Sequence, residues 1–180
     1  KQSAPRLARS TRSGARRRVD VFIASDDCGI LTAKKGSLSR MPRVFLLDGT
    51  ALAYRSHFAM ARSGLTNADG RPTGATYGFT MTLRRILEKE APELIAVAFD
   101  PPGPTFRHKQ YKEYKATREK MPEDLVGQLD DMRDVVRAHG IPIFEVPGYE
   151  ADDVLGTLTR QAEAADCEVM LVTGDKDLMQ

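Results

Sequence analysis

Cysteine is scarce. Only Cys28 and Cys167 occur in the 180 residues, too few and too isolated for a disulfide framework or a zinc site, so a reducing cytosol is the expected setting. Long apolar runs are missing as well. None approaches the roughly 18 residues that span a bilayer, and the N-terminal stretch lacks the apolar core of a secretory signal. Histidine is limited to His57, His108 and His139. None is placed to serve as a conventional general base, and packing, solvation or helix capping is their expected role. No internal repeat is evident.

What is present is enough apolar content, 41%, for one ordinary domain with its own core. The formal net charge of +2 is unevenly spread. Residues 1–40 carry 10 Lys and Arg against 3 Asp and Glu, a net of +7, and the remainder carries 17 against 22, a net of −5. The stretch "KQSAPRLARSTRSGARRR" has no apolar periodicity and reads as a disordered basic arm. Met41 is a candidate natural start, with residues 1–40 then an artefact of start assignment; the alternative is an arm that holds nucleic acid electrostatically. A first residue that is Lys and a last residue, Gln180, hard against a motif are expected of a fragment.

From Met41 onward short apolar runs alternate with longer stretches of helical period. "VFLLD", "LIAVAFD", "IPIFEV" and "EVMLVTGD" are near-continuously hydrophobic, as strands buried on both faces of a parallel sheet should be. Between them, "TGATYGFTMTLRRILEKEAPE" reads as a helix stopped by Pro92. "PEDLVGQLDDMRDVVRAHG" reads as another, with Leu125, Leu129, Met132 and Val136 on one face. "ADDVLGTLTRQAEAADC" is a third, with Val154, Leu155, Leu158 and Ala162 facing inward. The order β-α-β-(loop or α)-α-β-α-β predicts an α/β class fold, doubly wound, with a mostly parallel central sheet and helices on both faces.

The acids fall in a pattern. Three strand candidates end in Asp48, Asp100 and Asp175, and the fourth runs through Pro147-Gly148 into Glu150, Asp152 and Asp153. In an open parallel sheet these ends share the carboxyl edge, where such folds build their sites. Asp177 joins them, making seven acids. Taken singly each has a bland explanation: Asp48-Gly49 is a turn signal, and acids at a helix start gain about 0.3–1 kcal/mol from the dipole. Together they exceed what capping needs, since seven like charges at one edge repel unless a cation offsets them. Hard divalent ions such as Mg²⁺ or Mn²⁺ take oxygen ligands, and an acid set without paired His or Cys argues against structural zinc. Two such ions would clamp the attacking and leaving oxygens of a phosphodiester. Helical spacing puts Glu150 and Asp153 on one face, with Asp152 turned away, so Glu150 and Asp153 are the expected pair at one ion.

Between the second and third strand candidates, residues 107–120 hold Arg107, Lys109, Lys112, Lys115, Arg118 and Lys120 against only Glu113 and Glu119. Tyr111 and Tyr114 interleave with them. A charge run is usually a solvated face, but cations spaced by aromatics also suit nucleic acid, with rings stacking on bases and cations on phosphates. The segment follows Asp100 directly, so it rises over the edge that carries the acids, as a basic helical arch would.

Four ordered motifs, "VFLLDGTALAYRSHFA", "VAFDPPGPTFRHKQYKEYKATRE", "VPGYEADDVLGTL" and "LVTGDKDLMQ", closely resemble the 5′-nuclease domain at the N-terminus of bacterial DNA polymerase I. That domain belongs to the flap endonuclease-like group of PIN-like nucleases. The resemblance covers residues 41–180. It implies that Asp48, Asp100, Glu150, Asp152, Asp153, Asp175 and Asp177 bind metal, two Mg²⁺ or Mn²⁺ ions. It implies that Lys115 and Arg118 position the scissile phosphate, that Tyr54 and Arg55 contact DNA near the site, and that Arg107 is a further basic contact. The implied activity is metal-dependent hydrolysis at 5′ ends and 5′ flaps of duplex DNA, including nicked or branched duplexes and RNA-primer hybrids, in primer removal and repair. The implied setting is the bacterial cytoplasm, at the nucleoid, on a chain that continues into polymerase domains.

In that family further metal-binding aspartates and a duplex-gripping helix pair follow "TGDKDLMQ", and residues 1–40 have no counterpart. A fragment ending here is expected to bind metal incompletely. Two rivals remain open on the residues alone: a PIN-like nuclease acting on RNA, and a non-catalytic module that binds DNA structure.

Overall fold

The computed structural model describes residues 41–111, 113–114 and 120–174. Strand β1 (Arg43–Asp48) leads into two helices, α1 (Gly49–Met60) and α2 (Gly74–Glu90). Strand β2 (Leu94–Ala98) is followed by a short helix α3 (Phe106–Gln110) and by α4 (Glu123–Ala138). Strand β3 (Ile143–Phe144), helix α5 (Ala151–Ala164) and strand β4 (Glu168–Val172) complete the described elements. The strands pair in parallel in the order β3-β2-β1-β4. The chain therefore winds outward from β1 to β3, then returns to lay β4 on the other side of β1. That reversal puts the topological switch point between β1 and β4, where the carboxyl ends of neighbouring strands part and leave a crevice.

Successive side chains of a strand point to opposite faces, and β1 is apolar on both. Phe45 and Leu47 pack on one side with Phe79, Leu83, Leu125, Met132 and Val136 of α2 and α4. Val44 and Leu46 pack on the other with Val154, Leu155, Leu158 and Ala162 of α5. Burying each such side chain contributes roughly 1.5–3 kcal/mol, so both faces of the central strands are sealed and only their ends reach solvent. The doubly wound expectation is met, and so is the inward face of α5.

Three local readings differ. The sequence suggests one helix between the first two strands, and there are two. Helix α1 buries Gly49, Leu52, Ala53 and Ser56, a stripe of mostly small residues that leaves little apolar periodicity to read. Its start carries a turn signal, yet Asp48 caps a helix there, accepting from the Ala51 N–H at 2.8 Å. In α4 the inward residue between Leu125 and Met132 is Gln128, 2% exposed, while Leu129 is only partly buried. Gln128 is satisfied there: its Oε1 accepts from the Thr76 N–H at 3.0 Å and its Nε2 donates to the Asp124 carbonyl at 2.9 Å. Finally, "IPIFEV" contributes only Ile143–Phe144 to the sheet. Pro142 has no N–H to give the ladder, though its carbonyl still accepts from Val97.

Two helix ends aim the chain at the site. Gly49, the first residue of α1, packs so closely that a Cβ there would stand 2.6 Å from the Phe99 ring. Helix α4 closes with Gly140 at φ +68, the left-handed stop that glycine favours, and the chain then turns into β3.

Candidate active site

A cavity of about 460 Å³ opens at the switch point, lined among others by Asp48, Tyr54, Arg55, Asp100, Glu150 and Asp152. The four acids come from the carboxyl ends of strands or from the helix start that follows one. Asp48 ends β1 and is 7% exposed. One of its oxygens caps α1, and the other accepts from the Thr173 hydroxyl at 3.0 Å, just past β4. Burial pushes the Asp48 carboxyl above its ordinary pKa, the Ala51 and Thr173 bonds offset this in part, and Asp100 and Asp152 push it further up.

Asp100 lies two residues past β2. Its N–H donates to the Thr50 hydroxyl at 2.9 Å, and its carboxylate accepts from the Ala151 N–H at 2.7 Å. One aspartate thus ties the start of α1 to the start of α5. Glu150, 6% exposed, is the residue before α5. It forms a reciprocal capping box with Asp153: each side chain takes the other's backbone N–H, the local logic of acids at a helix start.

Asp152 differs from its neighbours. Its Oδ1 is buried without a hydrogen-bond partner among the described residues. Burial raises its pKa first and the Asp153 and Glu150 charges raise it further, while a bond from the Asp153 N–H and the Arg107 charge offset this in part. A buried carboxylate oxygen left unpaired is costly, and this one belongs to a side chain that lines a cavity with two other aspartates. Among the described residues no three His, Cys, Asp or Glu side chains enclose a metal site by themselves.

Asp153 is not among the residues that line the cavity. Both its oxygens meet the Arg107 guanidinium, at 2.7 and 2.6 Å. Arg107 also reaches Glu150 at 3.4 Å, and the Tyr114 hydroxyl donates to Glu150 at 3.1 Å. The bond to Asp153 holds the Arg107 guanidinium more firmly protonated than usual. Glu150 and Asp153 do sit together, as helical spacing predicts, but the cation that joins them is a guanidinium. Lys109 and Tyr111 are exposed, with the Tyr111 hydroxyl donating to Glu113 at 2.8 Å. Lys112, Lys115, Arg118, Asp175 and Asp177 lie outside the described residues.

Sequence reasoning passes over Thr50 and Thr173, whose hydroxyls hold Asp100 and Asp48. A signal exists: each stands within two residues of a strand-end aspartate or of its helix cap, on the same sheet edge.

Comparison with known proteins adds the context. Residues 43–180 match a family model described as "5′-3′ exonuclease, N-terminal resolvase-like domain". DNA polymerase I of Chloroflexus aurantiacus is 46% identical over 139 residues, covering 77% of this chain and 15% of that protein. DNA polymerase I of Mycobacterium tuberculosis is 43% identical over 152 residues, covering 84% and 17%. The thermostable DNA polymerase I of Thermus thermophilus is 46% identical over 138 residues, covering 77% and 16%. The chain thus spans only 15–17% of the length of these relatives. Among solved structures, a T5 5′-exonuclease with bound divalent metal ions (zinc) superposes with a TM-score of 0.60 at 20% identity, covering 75% of this chain and 50% of that one. A bacteriophage T5 flap endonuclease in a pseudo-enzyme-product complex with DNA and metal ions gives 0.53 at 22% identity, covering 74% and 49%. At these identities the two likenesses concern the fold.

Proposed function

Because this chain belongs to the 5′-3′ exonuclease N-terminal resolvase-like domain family, we propose that it hydrolyses phosphodiester bonds at 5′ ends and 5′ flaps of DNA with divalent metal ions, as the N-terminal part of a DNA polymerase I. The observation that carries this reading is the cavity at the switch point, where Asp48, Asp100 and Asp152 face one space and the Asp152 Oδ1 is buried and unpaired among the described residues. An all-oxygen donor set of this kind fits Mg²⁺ or Mn²⁺, which use few carboxylates and keep several waters. Asp48, Asp100, Asp152 and Glu150 are the described residues that would hold such ions, two by analogy with paired-metal nucleases. Asp175 and Asp177 complete the set as further proposed ligands.

When bound, the ions supply Lewis acidity and an activated water for in-line displacement at phosphorus. The chain's own residues do the rest. The Thr173 hydroxyl and the Ala51 and Ala151 N–H groups fix the Asp48 and Asp100 carboxylates, so little reorganisation is needed when charge arrives. Tyr54 and Arg55 line the same cavity, an aromatic face and a cation suited to a terminal nucleotide and its phosphate. Lys115 and Arg118 are proposed to stabilise charge developing on the phosphate, with Lys109, Tyr111, Lys112 and Tyr114 as DNA contacts of the same loop.

The test is cleavage of a 5′-labelled flap substrate by the full-length protein with Mg²⁺ or Mn²⁺, against an EDTA control and a single-stranded RNA of the same length. Metal-dependent release of the flap is expected, and Asp152→Asn should lower the single-turnover rate at least ~100-fold, a loss of about 2.7 kcal/mol in transition-state stabilisation. Preferential cleavage of the RNA, or full activity in the Asp152→Asn protein, would overturn the reading.

A further inference from the structure

The neighbouring aspartates of "EADD" face different partners. Asp152 lines the cavity and keeps a buried oxygen unpaired among the described residues. Asp153 is outside the cavity lining, and its oxygens accept both arms of the Arg107 fork as well as the Glu150 N–H at 3.1 Å. Paired N–H bonds from a planar guanidinium are directional and charge-assisted, the strongest arrangement a carboxylate makes with a side chain. A metal ion at Asp153 would have to displace it.

Arg107 is gripped from its other sides. Its guanidinium lies 4.7 Å from the centre of the Phe106 ring and 6.0 Å from that of Tyr114. Phe106 is docked in turn: its N–H donates to the Gly148 carbonyl at 2.7 Å, and its ring meets Tyr149 at 5.4 Å. Thr105 and His108 cap the same short helix reciprocally. Helix α3, where the basic segment 107–120 starts, is thereby fastened to the turn that starts α5.

We propose that Arg107 and Asp153 form a positioning pair. Asp153 seats Arg107 and is not a metal ligand, and Arg107 acts on cleavage by fixing where the basic segment leaves the rim of the metal-binding cavity. The inference rests on the nuclease reading for its link to cleavage, but the pairing itself does not. In this arrangement the carboxylates of one helix start serve two ends. Asp152 supplies negative charge to the cavity, and Asp153 holds Arg107 and with it the start of α3 beside the start of α5. Without the fork α3 would keep its charges but lose that attachment.

Three measurements on the full-length protein test this. Mn²⁺ titration without DNA should leave the affinity of Asp153→Asn within ~3-fold of wild type, while Asp152→Asn weakens it at least ~10-fold. Single-turnover flap cleavage should fall ~10-fold or more in both Arg107→Ala and Asp153→Asn, with the double variant no slower than ~3-fold below either, since partners in one interaction are not additive. Arg107→Lys, which keeps the charge but loses the fork, should recover only part of the rate. Limited trypsin cleavage after Lys109 should accelerate equally in Arg107→Ala and Asp153→Asn and stay at the wild-type rate in Asp152→Asn. Loss of Mn²⁺ affinity in Asp153→Asn equal to that in Asp152→Asn, or multiplicative rate losses in the double variant, would overturn the pair. Absence of metal-dependent cleavage by the wild type would remove the nuclease reading, whereas the trypsin comparison would still decide whether Arg107 and Asp153 hold α3 in place.

Discussion

Asp152 and Asp153 are adjacent, identical and equally acidic in the sequence, and the fold gives them opposite surroundings. That an acid cluster meets at one sheet edge was legible from strand ends alone, because Asp48 and Asp100 follow short apolar runs that read as buried strands. Which acid turns inward was not legible, since it depends on Arg107, 46 positions away, claiming Asp153. The price of Asp152's position can be measured. Its folded-state pKa is raised above the ordinary 3.8, so the folded protein binds this proton more tightly than the unfolded chain does. The destabilisation is fully present above the folded pKa and fades as pH falls through it, vanishing below the unfolded value. Asp152→Asn is therefore expected to raise Tm of the metal-free protein by a few degrees at neutral pH, with the gain shrinking toward about pH 4. Thermal unfolding in EDTA across that range checks it, and a Tm lowered at neutral pH would contradict the assignment. The same substitution is expected to slow cleavage at least ~100-fold, the common trade between stability and function at a site.

At the scale of elements, α4 and α5 were readable because large apolar residues recur at helical spacing between clear start and stop signals. Helix α1 was not, because it packs through small residues. Gly49, Ala53 and Ser56 let it lie close to the sheet and to α2, and close approach leaves no apolar stripe to count. That closeness has a consequence at Gly49, where the nearest atoms to an added Cβ would be three carbons of the Phe99 ring at 2.6–2.8 Å. Phe99 is 1% exposed and packs in one core with Phe79 and Leu83, so the ring has no open space to swing into. Gly49→Ala is expected to destabilise the protein by about 1–3 kcal/mol, the usual cost of overpacking a core. Urea denaturation would show a lower midpoint at unchanged slope. Because Phe99 precedes Asp100 and Gly49 follows Asp48, a shift there also disturbs two cavity acids, and the loss of cleavage should exceed the loss of folded protein.

For the whole molecule the difficulty is electrostatic. Residues 41–180 carry a net −5 and gather acids at the edge where the polyanionic substrate is proposed to act. Metal ions neutralise the cavity itself, but they act at short range and cannot bring DNA in from solution. Among the described residues Arg55 lines the cavity itself, and the segment after Asp100 adds cations whose reach is screened within about 8–10 Å at ordinary salt. Lys109 and Lys120 are exposed there. Flap affinity is therefore expected to fall linearly with salt on logarithmic axes, and Lys109→Ala with Lys120→Ala to reduce that slope by about 1–2, close to 0.9 for each phosphate that is no longer neutralised. Binding measured in Ca²⁺ at several salt concentrations gives both slopes. If they coincide, neither lysine meets a phosphate, and attraction must come from elsewhere on the chain. A slope reduced by about two would mean that Lys109 and Lys120, at the two ends of the basic segment, each neutralise a DNA phosphate.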